Sequence, residues 1–179
     1  MIVFMKAESL NMHSMGLHSK IIPPIWQVKD DKMYEFLEET KGEKYKNLLD
    51  FACSICDSFQ LVIRTDMGNP KEIRKILREI EAHKIKMEVT SEWASTMLDG
   101  ETAEVYFYKT NEDTLTFLKN KTNSLHGWIY PYLPEDLSFF KNNQPWLINI
   151  SHEKSTYLKT ENPSEVSCIK NIGIKLTLC

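Results

Sequence analysis

The sequence predicts an α+β fold, with an antiparallel sheet that carries its helices on one face. The first observation is that residues 59–132 have the order strand, helix, strand, strand, helix, strand, which is the order of a ferredoxin-like βαββαβ core. The second is that helical apolar spacing precedes this core and a hairpin pattern follows it. The third is composition, because 179 residues with 42% hydrophobic and 26% charged side chains fit one domain, 1–179.

An irregular arm is expected over 1–29 and two helices over 30–58. Pro23 and Pro24 exclude a helix through that part of the arm. The first helix is capped by Asp30 or Asp31 and ends near residue 42. Its apolar face carries Met33, Phe36 and Leu37. The second helix, over 43–58, has an apolar stripe of Tyr45, Leu48, Leu49, Ala52 and Cys56.

The core begins with a buried strand over 60–65, followed by a helix that starts at Pro70. That helix carries an apolar stripe of Ile73, Ile76, Leu77 and Ile80. A strand over 85–90 follows, and its alternation predicts one buried face, made of Ile85, Met87 and Val89. The core closes with a strand over 105–108, a helix over 111–120 capped by Asn111 or Thr110, and a strand over 128–130.

A C-terminal hairpin and tail are predicted over 133–179. Strands over 137–140 and 146–150 flank a turn that contains two asparagines, which tolerate the positive φ angles of tight hairpins. On the second strand Trp146, Ile148 and Ile150 share a face with His152. The rest of the tail is expected to form a short helical turn, a loop at 162–163 and a closing strand over 174–178.

Composition argues against several classes of function. A net charge of −3 lacks the basic footprint of nucleic-acid-binding proteins, so no nucleic-acid partner is expected. The apolar runs are too short to span a membrane, and the start of the chain has no leader pattern. The 4 cysteines suit a reducing compartment. We therefore expect a cytoplasmic protein with no membrane contact and no cofactor.

Cysteines and most histidines have structural explanations. Cys53 and Cys56 have C-x-x-C spacing without a second pair, and Cys56 lies on a helical apolar stripe, so core thiols are favoured and no metal site is assigned. His13 and His18 lack the spacing of a zinc helix, and His83 is explained as a cation at a helix C-terminus.

His152 is the candidate general base, with Glu153, Glu135 or Asp136 to orient it. Adjacent side chains of a strand face opposite ways, so Ser151, His152 and Glu153 alone make no triad. The structural alternative has Ser151 capping a helical turn. Glu135 and Asp136 could hold a metal or share a proton, but carboxylates after a proline favour a turn.

Aromatic residues are concentrated in 128–146, and some of them are expected at the surface. Exposed tyrosine or tryptophan beside acidic residues is typical of a protein-binding hot spot. The predicted partner-binding residues are Trp128, Tyr130, Tyr132, Glu135, Asp136, Trp146 and His152.

Residues 130–153 resemble a tail found in small bacterial proteins of unassigned role, some of them with immunity-type neighbours. The resemblance covers about a seventh of the chain and implies a bacterial cytosolic setting. With the aromatic and acidic edge, it favours an inhibitor or immunity-like protein that occupies another protein. The alternatives are a small hydrolase or transferase with His152 as general base, and a homodimer formed through the aromatic edge.

Overall fold

An eight-stranded sheet, antiparallel between all neighbouring strands, organises the described residues. The computed structural model describes residues 32–67, 70–94 and 96–179. The predicted arm over 1–29 and the caps Asp30 and Asp31 lie outside them. The α+β class with a large antiparallel sheet is confirmed.

The strands follow the sheet order β10-β1-β9-β8-β7-β2-β6-β3, and β4 and β5 form a separate hairpin. Strands β3 and β10 are thus the two edges of the large sheet. In chain order the strands are β1 (Met33–Phe36), β2 (Ser58–Arg64), β3 (Lys84–Thr90), β4 (Glu92–Trp93), β5 (Thr96–Met97), β6 (Ala103–Lys109), β7 (Glu135–Lys141), β8 (Gln144–Ile150), β9 (Ser155–Lys159) and β10 (Leu176–Leu178).

The α-helices within the described residues are α1 (Glu43–Ile55), α2 (Lys71–Leu77), α3 (Glu112–Lys121) and α4 (Pro163–Asn171). Short 3-10 segments cover Arg78–His83, Leu125–Gly127 and Ser151–Glu153. Leu48, Leu77, Leu118 and Ile169, one from each α-helix, belong to one core cluster. None of the helices in the described ranges is long and apolar enough to cross a membrane.

Strand β2 divides its side chains between two clusters because alternate residues of a strand face opposite ways. Leu61 and Ile63 belong to the cluster that the helices share. Val62 belongs to a smaller cluster with Trp93, Ala103 and Val105. Trp93 comes from β4, so the small hairpin packs on the opposite side of the sheet from the helices.

The helix predicted around Met33, Phe36 and Leu37 is wrong. Residues 33–36 form β1, in which Tyr34 pairs with Leu158 of β9 and Leu178 of β10. Leu37 is 59% exposed and belongs to no buried face. Three apolar residues over one turn cannot distinguish a short strand from a helix, and pairing with two distant strands decides the outcome.

The helices predicted over 43–58, from Pro70 and over 111–120 are confirmed as α1, α2 and α3. The Asn111 cap of α3 is a reciprocal capping box. Thr114 N donates to Asn111 Oδ1 at 3.0 Å, and Asn111 N donates to Thr114 Oγ1 at 3.0 Å. Cys56, just beyond α1, is buried as predicted.

The strand predicted over 128–130 is wrong. Trp128 instead follows the 3-10 segment Leu125–Gly127 and is fully buried, and its Nε1 donates to Tyr45 Oη at 2.9 Å. The buried hydrogen bond anchors the indole in the main core cluster. The strand that pairs with β2 on this side is β7.

The predicted hairpin is confirmed as β7 and β8. Asn142 and Asn143 form its turn with φ values of 51° and 61°, the left-handed conformation that asparagine accepts. The loop predicted at 162–163 is wrong, because Asn162 caps α4, accepting from Ser164 N at 2.9 Å, and Pro163 occupies its first turn.

The buried face predicted for β3 is wrong. Ile85, Met87 and Val89 are 49%, 45% and 64% exposed. Strand β3 lies at the edge of the sheet, and the described residues leave these three side chains largely uncovered. The alternating pattern correctly predicts a strand, but it does not reveal whether another element covers the apolar face.

Candidate metal centre

Two buried carboxylates and one histidine meet on the Trp93 side of the sheet. One ligand atom from each of Glu135, Asp136 and His152 lies within 4.8 Å of the others. Glu135 and Asp136 are each 1% exposed, whereas the His152 side chain is 36% exposed. The imidazole therefore lies between the buried carboxylates and solvent.

A β-bulge brings the two adjacent carboxylates together. Val62 of β2 pairs with Glu135, but Gln60 pairs with Ser138, so Leu61 alone faces two residues of β7. Asp136 is one of those two, and its φ is 56°. In a regular strand Asp136 would point away from Glu135, and the bulge with a left-handed residue re-aims its side chain.

His152 reaches the site because β8 ends at Ile150 and the chain turns through the 3-10 segment Ser151–Glu153. The helical turn of the structural alternative is therefore present, whereas the helical turn expected in the tail before residue 162 is wrong, because Ser155–Lys159 form β9. The cap predicted at Ser151 is wrong, since the 3-10 segment has no side-chain cap and the Ser151 hydroxyl accepts from Asn149 Nδ2 at 2.8 Å. Lys154 then takes a left-handed conformation with φ 54°.

The Asp136 carboxylate is held from two sides. Trp93 Nε1 donates to Oδ2 at 2.9 Å, and the backbone N–H of Ser151 donates to Oδ1 at 2.9 Å. Each oxygen retains a further lone pair. The first bond ties the β4–β5 hairpin to the site and the second ties the histidine turn to it, so Asp136 fixes both elements around one carboxylate.

A buried polar network lies behind Asp136. Ser138 Oγ donates to Asp136 O and accepts from Asn149 N, each at 3.1 Å. Thr156 Oγ1 donates to Asn149 Oδ1 at 3.1 Å, and Asn149 Nδ2 bonds to Ser151. Partners of this kind orient the ligands of metal sites, because they remove rotational freedom from the groups that hold the ion.

The Glu135 carboxylate is incompletely satisfied. Its Oε1 accepts from Tyr130 N at 3.3 Å. Its Oε2 is buried and has no hydrogen-bond partner among the residues that the structure describes. Leaving a buried carboxylate oxygen unpaired is costly, and such groups in folded proteins call for a specific explanation.

Burial opposes charge on both acids. Desolvation raises the pKa of Glu135, and the neighbouring Asp136 carboxylate raises it further. Desolvation also raises the pKa of Asp136, against hydrogen bonds from Trp93 and Ser151 that lower it. Arg64, which lowers both pKa values, is engaged with Asp66 through bonds of 3.1 and 2.5 Å. Without a cation, one of the two carboxyls therefore tends to keep its proton. A bound cation would allow both to be negatively charged.

The turn predicted for Glu135 and Asp136 is wrong, because both belong to β7 and pair against β2. The grouping of Glu135, Asp136 and His152, which the hydrolase alternative required, is present. Glu153 lies at its margin, with Oε1 3.8 Å from His152 Nε2. Trp93 and the network of Ser138, Asn149 and Thr156 were missed, since nothing in the sequence connects these distant positions.

The predicted aromatic and acidic edge is not a continuous exposed surface. Trp128 and Trp146 are buried at 0% and 2% exposure, and so are both acids. Trp146 instead donates from Nε1 to Glu165 Oε2 at 2.8 Å, which anchors it to α4. Their expected exposure is therefore wrong. Tyr130 is half-buried, and Tyr132 alone of the predicted aromatic contacts is strongly exposed, at 80%.

The Cys53 and Cys56 thiols are held in the protonated state. Burial raises the pKa of Cys53 to about 12, and burial likewise raises the pKa of Cys56. Since the thiolate is the form that attacks disulfides and binds metals, these residues act as core side chains at neutral pH.

No family model, curated protein or solved structure matches this chain.

Proposed function

We propose that this protein binds one divalent metal cation, with Glu135, Asp136 and His152 as its ligands. The observation that carries the proposal is the buried Oε2 of Glu135, which lies beside a second carboxylate and an imidazole and has no hydrogen-bond partner within the described ranges. A cation supplies that partner and compensates two buried negative charges at once.

The ligand set favours zinc or a similar transition-metal ion. Imidazole suits Zn²⁺, Fe²⁺ and Ni²⁺, whereas Mg²⁺ and Ca²⁺ prefer oxygen alone. Zinc bonds to nitrogen and oxygen measure about 2.0–2.2 Å, so two ligand atoms on one ion lie at most roughly 4.4 Å apart. The ligand atoms of the cluster all lie within 4.8 Å of one another, which is close to that separation. The His152 side chain, which is 36% exposed, can adjust its position when an ion binds because it is not enclosed by the core.

Isothermal titration calorimetry with Zn²⁺ at about pH 7 tests the proposal. The natural chain should bind one ion, and His152→Ala and Glu135→Gln should each weaken binding roughly 100-fold, since loss of supporting residues alone costs about 10–100-fold. His83→Ala is the matched control, because His83 is another partly exposed histidine outside the cluster.

Equal zinc affinity in the natural chain and the folded His152→Ala and Glu135→Gln chains would refute these ligands. Magnesium serves as the second probe. A response to Mg²⁺ as strong as to Zn²⁺ would contradict a ligand role for the imidazole, because Mg²⁺ selects oxygen ligands.

The hydrolase or transferase alternative gives His152 a different task. A general base needs its ring nitrogen free to accept a proton, whereas a ligand nitrogen has committed that lone pair. The two roles are therefore exclusive at one nitrogen. Three protein ligands leave a coordination position open to water, so hydrolysis at this centre would use a metal-bound water in place of a histidine base.

An inhibitor or immunity-like role is a second proposal, and it now depends on a smaller surface. The observation that favours it is Tyr132, 80% exposed beside Pro131, at the margin of the predicted edge. Exposed tyrosines are common anchors of protein interfaces. Unchanged capture of the same protein partner by Tyr132→Ala would count against this role.

Two finer features of the predicted fold and setting are also proposed. A ferredoxin-like βαββαβ core is supported by the sheet order β7-β2-β6-β3 and by α2 and α3, which follow β2 and β6 in the chain. In this arrangement β7 replaces the predicted strand over 128–130. A cytoplasmic and bacterial setting is supported by four cysteines that form no disulfide and by the resemblance of residues 130–153.

A further inference from the structure

Strand β3 presents an apolar stripe along a free edge of the large sheet. Within the described ranges it pairs only with β6. Its other edge therefore carries a row of backbone N–H and C=O groups open to another strand. Met87 and Val89 share one face of β3, opposite Tyr106 and Glu104 of β6, and Ile85 lies in a β-bulge between Lys84 and Lys86. All three side chains are at least 45% exposed.

The opposite face of β3 carries charges of both signs. Lys86 pairs with Glu88 of the same strand at 2.8 Å, and its ammonium lies 4.5 Å from the centre of the Phe107 ring. Phe107 and Val105 of β6 are register partners of Lys86 and Glu88. The two faces of β3 are thus distinct, one apolar and the other with one positive and one negative group.

We propose that β3 pairs with β3 of a second copy of this chain in antiparallel register, with a two-fold axis at Met87. In this register Met87 lies opposite Met87 of the other copy. Lys86 then lies opposite Glu88, and by symmetry the same ion pair forms twice. The exposed Met87 and Val89 side chains of both copies then lie on one face of the joined sheet, and the large sheets of both copies become continuous.

Charge selects this register over its neighbours. A shift that centres the axis on Lys86 places the two Lys86 side chains opposite each other, and a shift to Glu88 does the same with the two glutamates. Like charges directly opposite in a sheet are destabilising. A shift of the pairing by one residue brings polar side chains of one copy onto the same face as the apolar side chains of the other. The sequence of β3 is therefore complementary to itself about Met87.

Lys86 also fits pairing with a second copy better than it fits protection of the edge from other strands. Lysine on an edge strand usually prevents pairing with other chains. Here Glu88 lies two residues from Lys86, so an identical strand neutralises the lysine, whereas an unrelated strand without matching acids does not. Self-complementarity of this kind is what a two-fold interface requires. The second copy is thus the occupant that fits the edge best.

Exchange of charges tests the proposed register. The natural chain should sediment as a dimer, and the single variants K86E and E88K should dissociate roughly tenfold or more readily, because each places two like-charge pairs across the axis. The double variant K86E/E88K should restore the dimer. An equimolar mixture of the two single variants should form a heterodimer, detected by native mass spectrometry with one chain isotopically labelled.

The matched control is Leu178→Lys, which places a charge on the exposed residue of β10 at the other edge of the sheet. It should leave the dimer intact. A natural chain that stays monomeric at every soluble concentration would overturn the proposal. So would single variants that dimerise as well as the natural chain, or a folded double variant that fails to dimerise. Thermal unfolding of each variant verifies that it is folded.

Discussion

At the scale of single residues, Glu135 and Asp136 couple the stability of the protein to pH. Burial raises the pKa of both carboxyls in the folded state. Above the ordinary carboxyl pKa of about 4 the unfolded chain has released protons that the folded chain retains. The free energy of unfolding therefore falls as pH rises through the folded-state values, provided that no cation is bound.

Glu135→Gln should reduce the decrease in the free energy of unfolding as pH rises. The amide carries no charge to bury, so the metal-free variant should be more stable than the natural chain at neutral pH and similar to it at acid pH. Urea unfolding across a pH series, in the presence of a chelator, measures the effect. Glu161→Gln is the control, because Glu161 is exposed and lies outside the cluster. An unchanged slope for Glu135→Gln would show that Glu135 does not titrate with a raised pKa.

Sequence reasoning identified the residues of this site but assigned them the wrong local structure. Carboxylates after Pro134 favour a turn because short acidic side chains bond to nearby backbone groups. In the fold Asp136 instead accepts from Trp93 and Ser151, residues distant along the chain. Its φ of 56° has no signature in a single sequence, since aspartate adopts both conformations. His152 was selected because histidine is the usual general base near neutral pH, and its proximity to the carboxylates depends on the bulge.

At the scale of secondary-structure elements, Glu165 fastens α4 to the hairpin of β7 and β8. Its Oε2 accepts from Trp146 Nε1 at 2.8 Å and Thr160 Oγ1 at 2.6 Å, and its Oε1 accepts from Lys141 at 2.6 Å. Burial raises the pKa of Glu165, but these hydrogen bonds outweigh burial and lower it overall. The carboxylate therefore contributes stability above its ordinary pKa that is lost as pH falls.

Glu165→Ala should reduce the free energy of unfolding by roughly 2–3 kcal/mol, because the buried Trp146 indole and Thr160 hydroxyl lose their acceptor. Urea unfolding at neutral pH measures this loss. Glu161→Ala, four residues before it and exposed, should change stability by less than about 0.5 kcal/mol. Equal effects of the two substitutions would contradict the anchoring role of Glu165.

Elements with strong local signals were predictable, and those decided by distant pairing were not. Helix α3 carries its own capping box, and α1 has a stripe of four buried residues, so the sequence specifies both. Strands β1 and β9 have four and five residues and acquire their conformation by pairing with each other. Short segments of this kind have no periodicity long enough to separate strand from helix.

At the scale of the whole molecule, neighbouring strands on the β3 side of the sheet are close in sequence, whereas those at the β10 edge are far apart in sequence. Strands β7, β2, β6 and β3 all lie within the segment whose element order predicted an antiparallel sheet, extended by the hairpin. The other half combines β1 with β9 and β10, which come from opposite ends of the described chain. Alternation within a strand cannot specify such neighbours, because it constrains the buried face and not the partner.

The insertion of β1 between β9 and β10 bears on how the protein is made. Strand β1 leaves the ribosome before its sheet partners, the first of which begins only at Ser155, roughly 120 residues later. At about 5–20 residues per second, Met33–Phe36 remain without either neighbour for on the order of ten seconds. The hairpins and helices between them can form during synthesis, while this edge of the sheet closes only after β9 and β10 have been synthesised.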